Sequence, residues 1–181
     1  QLMSELGFHE RDMCYVGVTR PPHAPLSRLC VIWPQGDAAR DAAVLGLARE
    51  VLPACGVRYG YGFVAEDAFD ALDYALGSCM TALSDDESAL LGHRALAAPQ
   101  CGEAFCNGRL RMVYPSNWLN AAQLTQPLAD TTLREWIAAD AARGTLTALG
   151  GELSLWQVPV AQLAEVNRSL GAAGLLVAWR G

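Results

Sequence analysis

The sequence predicts an α+β protein in which mixed, mainly antiparallel sheets carry helices packed on one face. Short runs of β-branched and aromatic residues alternate with segments of helical periodicity. The second half reads β-α-β-β-α-β, the order of a ferredoxin-like unit, and the first half reads β-β-α-β-α. Because 52% of the 181 residues are hydrophobic and 18% are charged, we expect a buried core. We predict a single α+β domain over 1–181. The alternative is two packed halves, about 1–80 and 108–181, joined by an irregular segment 81–107.

The first half contains five predicted elements. In chain order they are strands at 13–18 and 29–33, a helix at 37–52, a strand at 57–64 and a helix at 66–76. Asp37 is a suitable N-cap for the first helix, and Pro53 is expected to end it. In the third strand, Gly60 and Gly62 alternate with aromatic residues and are expected to leave room for neighbouring rings.

The second half is predicted from turn and capping signals. In chain order it comprises a short helix ending near 93, a loop at 95–108, a strand at 110–114, short helices at 116–120 and 132–137, hairpin strands at 144–148 and 152–158, a helix at 160–170 and a buried strand at 175–179. Thr132 and Glu135 have the spacing of a capping box. Gly150 and Gly151 indicate the hairpin turn.

The charge composition excludes several classes of function. All 13 basic residues are Arg, so the chain has no lysine for a Schiff base or a phosphate-binding loop. With 19 acidic residues the net charge is −6, which argues against direct binding of a nucleic-acid backbone.

Seven of the acids fall within 22 residues that contain no Arg. They are Glu66, Asp67, Asp70, Asp73, Asp85, Asp86 and Glu87. One interpretation is a solvated helix face followed by a polar loop. The other is an anionic patch that attracts a basic partner.

The cysteines and histidines indicate no metal or cofactor site. Six cysteines occur without a C-x-x-C pair, and the three histidines are scattered. Cys14, Cys30 and Cys55 lie in apolar runs and are expected to be buried thiols, with a Cys101–Cys106 disulfide as an alternative to free thiols. No apolar run is long enough to span a membrane and no secretory signal is recognisable, so we expect a cytoplasmic protein. Since Gln1 is not an initiator residue, further residues are expected upstream.

No catalytic motif is recognisable. The sequence has neither a G-x-S-x-G nucleophile elbow nor an H-E-x-x-H zinc motif. An enzyme would need a pocket built from dispersed residues, for which Tyr59, Tyr61, Cys79 and His93 are candidates. We expect a protein that is not an enzyme.

The C-terminal third resembles a known class of bacterial proteins. Its segments Tyr-Pro-Ser-Asn-Trp-Leu-Asn (114–120), Leu-Arg-Glu-Trp-Ile (133–137), Arg-Gly-Thr-Leu (143–146) and Leu-Trp-Gln-Val-Pro (155–159) are similar to those of immunity proteins encoded beside polymorphic or type VI secreted toxins. The resemblance implies a non-catalytic inhibitor that covers the active site of one toxin. It assigns no functional residue.

Charge and resemblance lead to the same hypothesis. We expect a cytoplasmic immunity-type protein whose seven clustered acids contact the basic active site of a cognate antibacterial toxin, one that acts on nucleic acids or nucleotides. Membranes and nucleic acids are not expected as direct partners. The alternatives are an interaction or adaptor domain of a longer chain, and a small-molecule enzyme.

Overall fold

The computed structural model describes residues 15–19, 28–32, 38–54, 57–65, 68–77, 80–97 and 101–181. The helices are α1 (Ala38–Ala54), α2 (Ala68–Leu76), α3 (Ala89–Ala97), α4 (Cys101–Cys106), α5 (Ala121–Leu124), α6 (Leu133–Ala138) and α7 (Leu163–Ala172). The strands are β1 (Tyr15–Thr19), β2 (Arg28–Ile32), β3 (Tyr59–Gly62), β4 (Ser116–Leu119), β5 (Pro127–Leu128), β6 (Thr131–Thr132), β7 (Thr145–Gly150) and β8 (Leu153–Gln157). Short 3₁₀ turns cover Ala141–Arg143 and Val160–Gln162. None of the described helices is long and apolar enough to cross a membrane.

The central feature is a four-stranded antiparallel sheet with the strand order β3-β4-β8-β7. Two further sheets, β1-β2 and β5-β6, have two strands each. The predicted α+β class is therefore confirmed. The ferredoxin-like order is not observed, because 110–114 and 175–179 contain no strand. The two segments are joined by an isolated parallel bridge between Leu110 and Leu176 and by three backbone hydrogen bonds.

The two faces of the sheet are both covered. On one face, Leu45 and Leu52 of α1 pack against Trp118 and Leu155. On the other face lies the main core, which includes Trp156, Leu119 and Tyr74 and receives α2, α5, α6 and α7. The expectation that helices pack on one face only was wrong, because Leu45 and Leu52 of α1 cover the face of the sheet that carries Trp118.

Gly60 and Gly62 lie beside an aromatic ring, as the alternating pattern predicts. Gly60 is opposite Trp118 in the register, and a Cβ at Gly60 or Gly62 would lie 3.4 Å from the Trp118 side chain. That distance is a van der Waals contact, so glycine suits the packing of the indole here without being required by it.

Strand β4 replaces the short helix predicted at 116–120. Asn117 accepts a hydrogen bond from the Tyr114 N–H at 3.0 Å and donates to the Tyr114 carbonyl at 2.6 Å, which closes a turn before the strand. Asn120 is the N-cap of α5 and forms a capping box with Gln123. The helix signal was real but belongs to the element that begins at Ala121.

Other boundaries differ for similar reasons. The loop expected at 95–108 contains the end of α3 and all of α4, so the segment 81–107 is not irregular throughout. Pro53 lies inside α1, one residue before its end. The β7–β8 hairpin is confirmed, with positive φ angles at Gly150 and Gly151.

The predicted capping box of α6 is also confirmed. The Thr132 hydroxyl accepts from the Glu135 N–H, while Glu135 accepts from the Thr132 N–H at 2.8 Å. Hydrogen bonds from the Thr132 N–H, the Thr132 hydroxyl and the Thr131 hydroxyl lower the pKa of the Glu135 carboxyl.

Replacing glycine by alanine is expected to lower the stability of the protein at one helical position and to raise it at another. A Cβ at Gly171 in α7 would lie 2.3 Å from the Trp179 ring, so Gly171→Ala should destabilise the protein by about 1–3 kcal/mol. A Cβ at Gly46 in α1 would meet nothing within 4 Å, so Gly46→Ala should stabilise it by about 0.5–1 kcal/mol. Urea unfolding of both variants measures the difference. Equal shifts in the midpoint would contradict the packing of Trp179 on α7.

Candidate acidic binding surface

The structure separates the seven clustered acids into three groups. Glu66 and Asp67 lie outside the described residues. Asp70 is exposed and Asp73 half-buried on α2, and Asp85 and Asp86 are exposed in the turn that precedes α3. Glu87 forms the third group, because it is only 2% exposed.

Because Glu87 is buried, the prediction that it contacts a partner is wrong. Its Oε1 lies 3.1 Å from Nε of Arg111, whose side chain is equally buried. The acidic segment has no Arg of its own, but the fold brings one from 24 residues further along the chain. The signal in the sequence was the single charge of Arg111 within the apolar run 110–114, since a charge in such a run needs a buried partner.

Aromatic residues complete the surroundings of this ion pair. The Arg111 guanidinium lies 3.5 Å from the centre of the Tyr74 ring, and its Nη1 donates to the Tyr74 carbonyl at 2.7 Å. The Tyr74 hydroxyl donates to Glu87 Oε1 at 2.7 Å, so the Tyr114 hydroxyl, 2.6 Å away, donates to Tyr74. Burial raises the pKa of Tyr74 and of Tyr114 well above the usual value, which keeps both hydroxyls protonated as donors.

The ion pair holds the turn that carries Asp85 and Asp86. Glu87 Oε2 accepts from the Leu83 N–H at 3.0 Å, and the Glu87 N–H donates to the Ser84 carbonyl at 3.1 Å. The Asp86 carbonyl accepts from the Arg180 N–H at 3.0 Å. Both exposed carboxylates therefore stand on a backbone that is bonded to the core and to the C-terminal segment.

Exposed apolar side chains lie within five residues of the two aspartates along the chain. They are Met80, Leu83, Leu90 and Leu91, with exposed fractions between 39% and 61%. We refer to these four residues with Asp85 and Asp86 as the 80–91 surface. Apolar side chains beside charged ones are typical of protein-binding surfaces. Sequence reasoning missed the apolar part, because Met80 and Leu83 follow no helical or strand period.

The residues proposed for an enzyme pocket are placed differently. The Tyr59 hydroxyl accepts from the Arg111 N–H at 3.1 Å and donates to the Met112 carbonyl at 3.3 Å, and the Tyr61 hydroxyl accepts from Arg111 Nη1 at 3.3 Å. Both tyrosines thus belong to the packed surroundings of the ion pair. Nδ1 of His93 is buried without a hydrogen-bond partner, and Cys79 lies outside the described residues.

A shallow open groove of about 260 Å³ lies elsewhere, between the end of α1 and the β7–β8 turn. Its charged lining residues are Arg58 and Glu152. Of the seven acids and the four pocket candidates, none that the structure describes lines this groove. Across the described ranges, no three His, Cys, Asp or Glu side chains lie close enough together to hold a metal ion.

Comparison with protein-family models, with curated proteins and with solved structures gives no match. The similarity of the C-terminal third to immunity proteins therefore stays a prediction.

Neutralising a buried acid should lower the free energy of unfolding far more than neutralising an exposed acid. Glu87→Gln leaves the Arg111 charge buried and unpaired, so we expect a loss of about 3 kcal/mol in the free energy of unfolding. Asp86→Asn changes a solvated carboxylate and should stay within about 0.5 kcal/mol of wild type. Urea unfolding followed by circular dichroism measures both values.

A double variant controls for the loss of the carboxylate itself. Combining Glu87→Leu with Arg111→Met removes both charges together and should recover part of the stability that Glu87→Gln loses. If the Glu87→Gln and Asp86→Asn variants unfold at the same urea concentration, the buried ion pair does not hold the turn.

Two thiols should differ in reactivity. Burial raises the pKa of Cys30 from 9.0 to about 11, whereas Cys106 is a free and exposed thiol, which excludes the Cys101–Cys106 disulfide in this structure. At pH 8, iodoacetamide should modify Cys106 at least about tenfold faster than Cys30, because the thiolate is the reacting form. The pKa of Cys30 is higher in the folded protein than in the unfolded chain, so ionisation of this thiol favours unfolding. The contribution of Cys30 to the free energy of unfolding is therefore complete below pH 9 and is lost as the pH rises to about 11. Peptide mapping by mass spectrometry compares the two rates, and equal rates would contradict the burial of Cys30.

Proposed function

We propose that this chain is an immunity-type protein that binds a basic toxin domain and neutralises it by covering its active site. The observation that carries the proposal is the anchored turn with Asp85 and Asp86, two exposed carboxylates with exposed apolar side chains close to them in the chain. Such a surface has the negative charge to attract a basic site and the apolar area to retain it. A cytoplasmic location is part of the proposal, since a toxin that acts on nucleic acids or nucleotides must be met there.

The anchoring of the turn favours binding over mere solvation. A solvated polar loop needs no bonds from its backbone to the rest of the fold. This turn has two, from the Ser88 N–H to the Ala178 carbonyl and from the Arg180 N–H to the Asp86 carbonyl. Two further bonds, from the Leu83 N–H to the Glu87 carboxylate and from the Glu87 N–H to the Ser84 carbonyl, close the turn itself. A surface that is ordered before binding loses little conformational entropy when the partner arrives.

The acids are assigned different parts in the proposal. Asp85 and Asp86 contact the partner, and Asp70 with Asp73 on α2 extends the negative field. Glu66 and Asp67 remain predicted contacts. Glu87 is a positioning residue, which holds the turn from inside and does not reach the partner.

Capture from the native host's lysate tests the proposal with charge-matched variants. Wild type, the double variant D85N/D86N and the control E50Q/E152Q are immobilised, and proteins eluted by a salt step are quantified by mass spectrometry. Glu50 and Glu152 are exposed acids outside the 80–91 surface, so both double variants lose two charges. We expect wild type and the control to retain one basic protein in stoichiometric amount. D85N/D86N should bind that protein at least about tenfold more weakly, because the ion pairs are lost.

Neutralisation is measured separately by co-expression of the captured domain. Wild type and E50Q/E152Q should restore growth of cells that produce the domain, and D85N/D86N should not. A partner that both double variants retain equally would place the interface elsewhere. If wild type binds the domain but does not restore growth, the chain is a binding protein without the immunity function.

A further inference from the structure

Strand β7 is an edge of the central sheet. In the part of the chain that the structure describes, β7 pairs only with β8, so its outer side carries backbone N–H and C=O groups without a strand partner. Four of its six residues are exposed, whereas all four residues of the opposite edge strand, β3, are half-buried. The accessible edge is therefore β7.

This edge lacks two of the features that usually protect exposed strands. Its sequence, Thr-Leu-Thr-Ala-Leu-Gly, contains no charged residue and no proline. One irregularity is present, a register shift between Ala148 and Gly150 at the turn end of the strand. The segment Thr145–Ala148 keeps regular pairing with β8 and remains suitable for adding another strand.

We propose that β7 pairs antiparallel with β7 of a second copy of this chain, with Thr147 opposite Thr147 at the two-fold axis. The free backbone N–H and C=O groups along this edge can form a regular ladder of hydrogen bonds only with another extended strand, so the expected partner is a strand. An uncharged strand also lets two chains of net charge −6 meet without opposing like charges at the contact. The pairing joins two four-stranded sheets into one of eight strands.

The charges that flank β7 lie outside the paired segment. Arg143 precedes the strand, where its guanidinium donates to the Trp136 carbonyl at 2.6 Å and lies 4.0 Å from Asp140. Glu152 follows the β7–β8 turn. The pairing centred on Thr147 is therefore made by uncharged residues of both copies.

Sedimentation velocity of the full chain tests the dimer between about 1 µM and about 1 mM. We expect the wild-type mass to rise with concentration from 19.3 kDa towards twice that value. Thr147→Lys places two lysines opposite each other and should weaken dimerisation about fivefold or more. Ala172→Lys adds the same charge at an exposed helix end and should dimerise like wild type.

A mixture of two variants separates a broken contact from a damaged fold. Thr147→Lys and Thr147→Glu should each dimerise more weakly than wild type when alone. An equimolar mixture should dimerise more strongly than either variant, because the introduced ammonium and carboxylate groups then lie opposite each other. The idea is overturned if wild type stays at 19.3 kDa up to about 1 mM, if Thr147→Lys dimerises like wild type, or if the mixture stays monomeric. The measurement uses the chain alone, so its outcome is independent of the toxin-binding proposal.

Discussion

The buried ion pair between Arg111 and Glu87 is the constraint on which much of this structure depends. Two charges out of contact with water are tolerated only when their remaining hydrogen-bonding groups are satisfied. Tyr61, the Tyr74 carbonyl and hydroxyl, and the Leu83 N–H meet that requirement. The approach of α3 is set by the same pair, because a Cβ at Gly92 would lie 3.1 Å from the guanidinium. One ion pair thus fixes α2, α3, the turn between them and the segment 110–114 relative to one another.

Adjacent residues of one turn have opposite surroundings. Glu87 points inward to Arg111, while Asp85 and Asp86 remain exposed. The buried ion pair of Glu87 orders the backbone that carries the two exposed carboxylates, so in the proposed complex the surface is ordered before a partner binds. The seven acids are therefore not equivalent, although they look alike in the sequence.

The central sheet shows a comparable division between its two edges. Strand β3 lies against the aromatic core, where Tyr59 contacts Phe105 and Tyr61 stacks on Tyr114. Strand β7 packs Leu146 against the main core and Leu149 against the cluster on the α1 side, while in the described part of the chain its outer backbone groups have no strand partner. The residues of the acidic turn and of β7 are different, so the two proposed contacts do not use the same residues.

The sequence by itself determined the elements whose signals are local. The β7–β8 hairpin, the capping box at Thr132 and the spacing of Gly60 with Gly62 depend on neighbours within a few residues, and all three were predicted. Tertiary structure decided what depends on distant groups. Segment 110–114 looks like a strand, but its Arg111 and Val113 N–H groups donate to the side chains of Tyr59 and Asn167, more than 50 residues away in the chain. In the sequence, Glu87 has the pattern of a surface acid, but in the structure it is buried in an ion pair with Arg111. In both cases the deciding partner is far along the chain, and only the folded protein brings it within hydrogen-bonding distance.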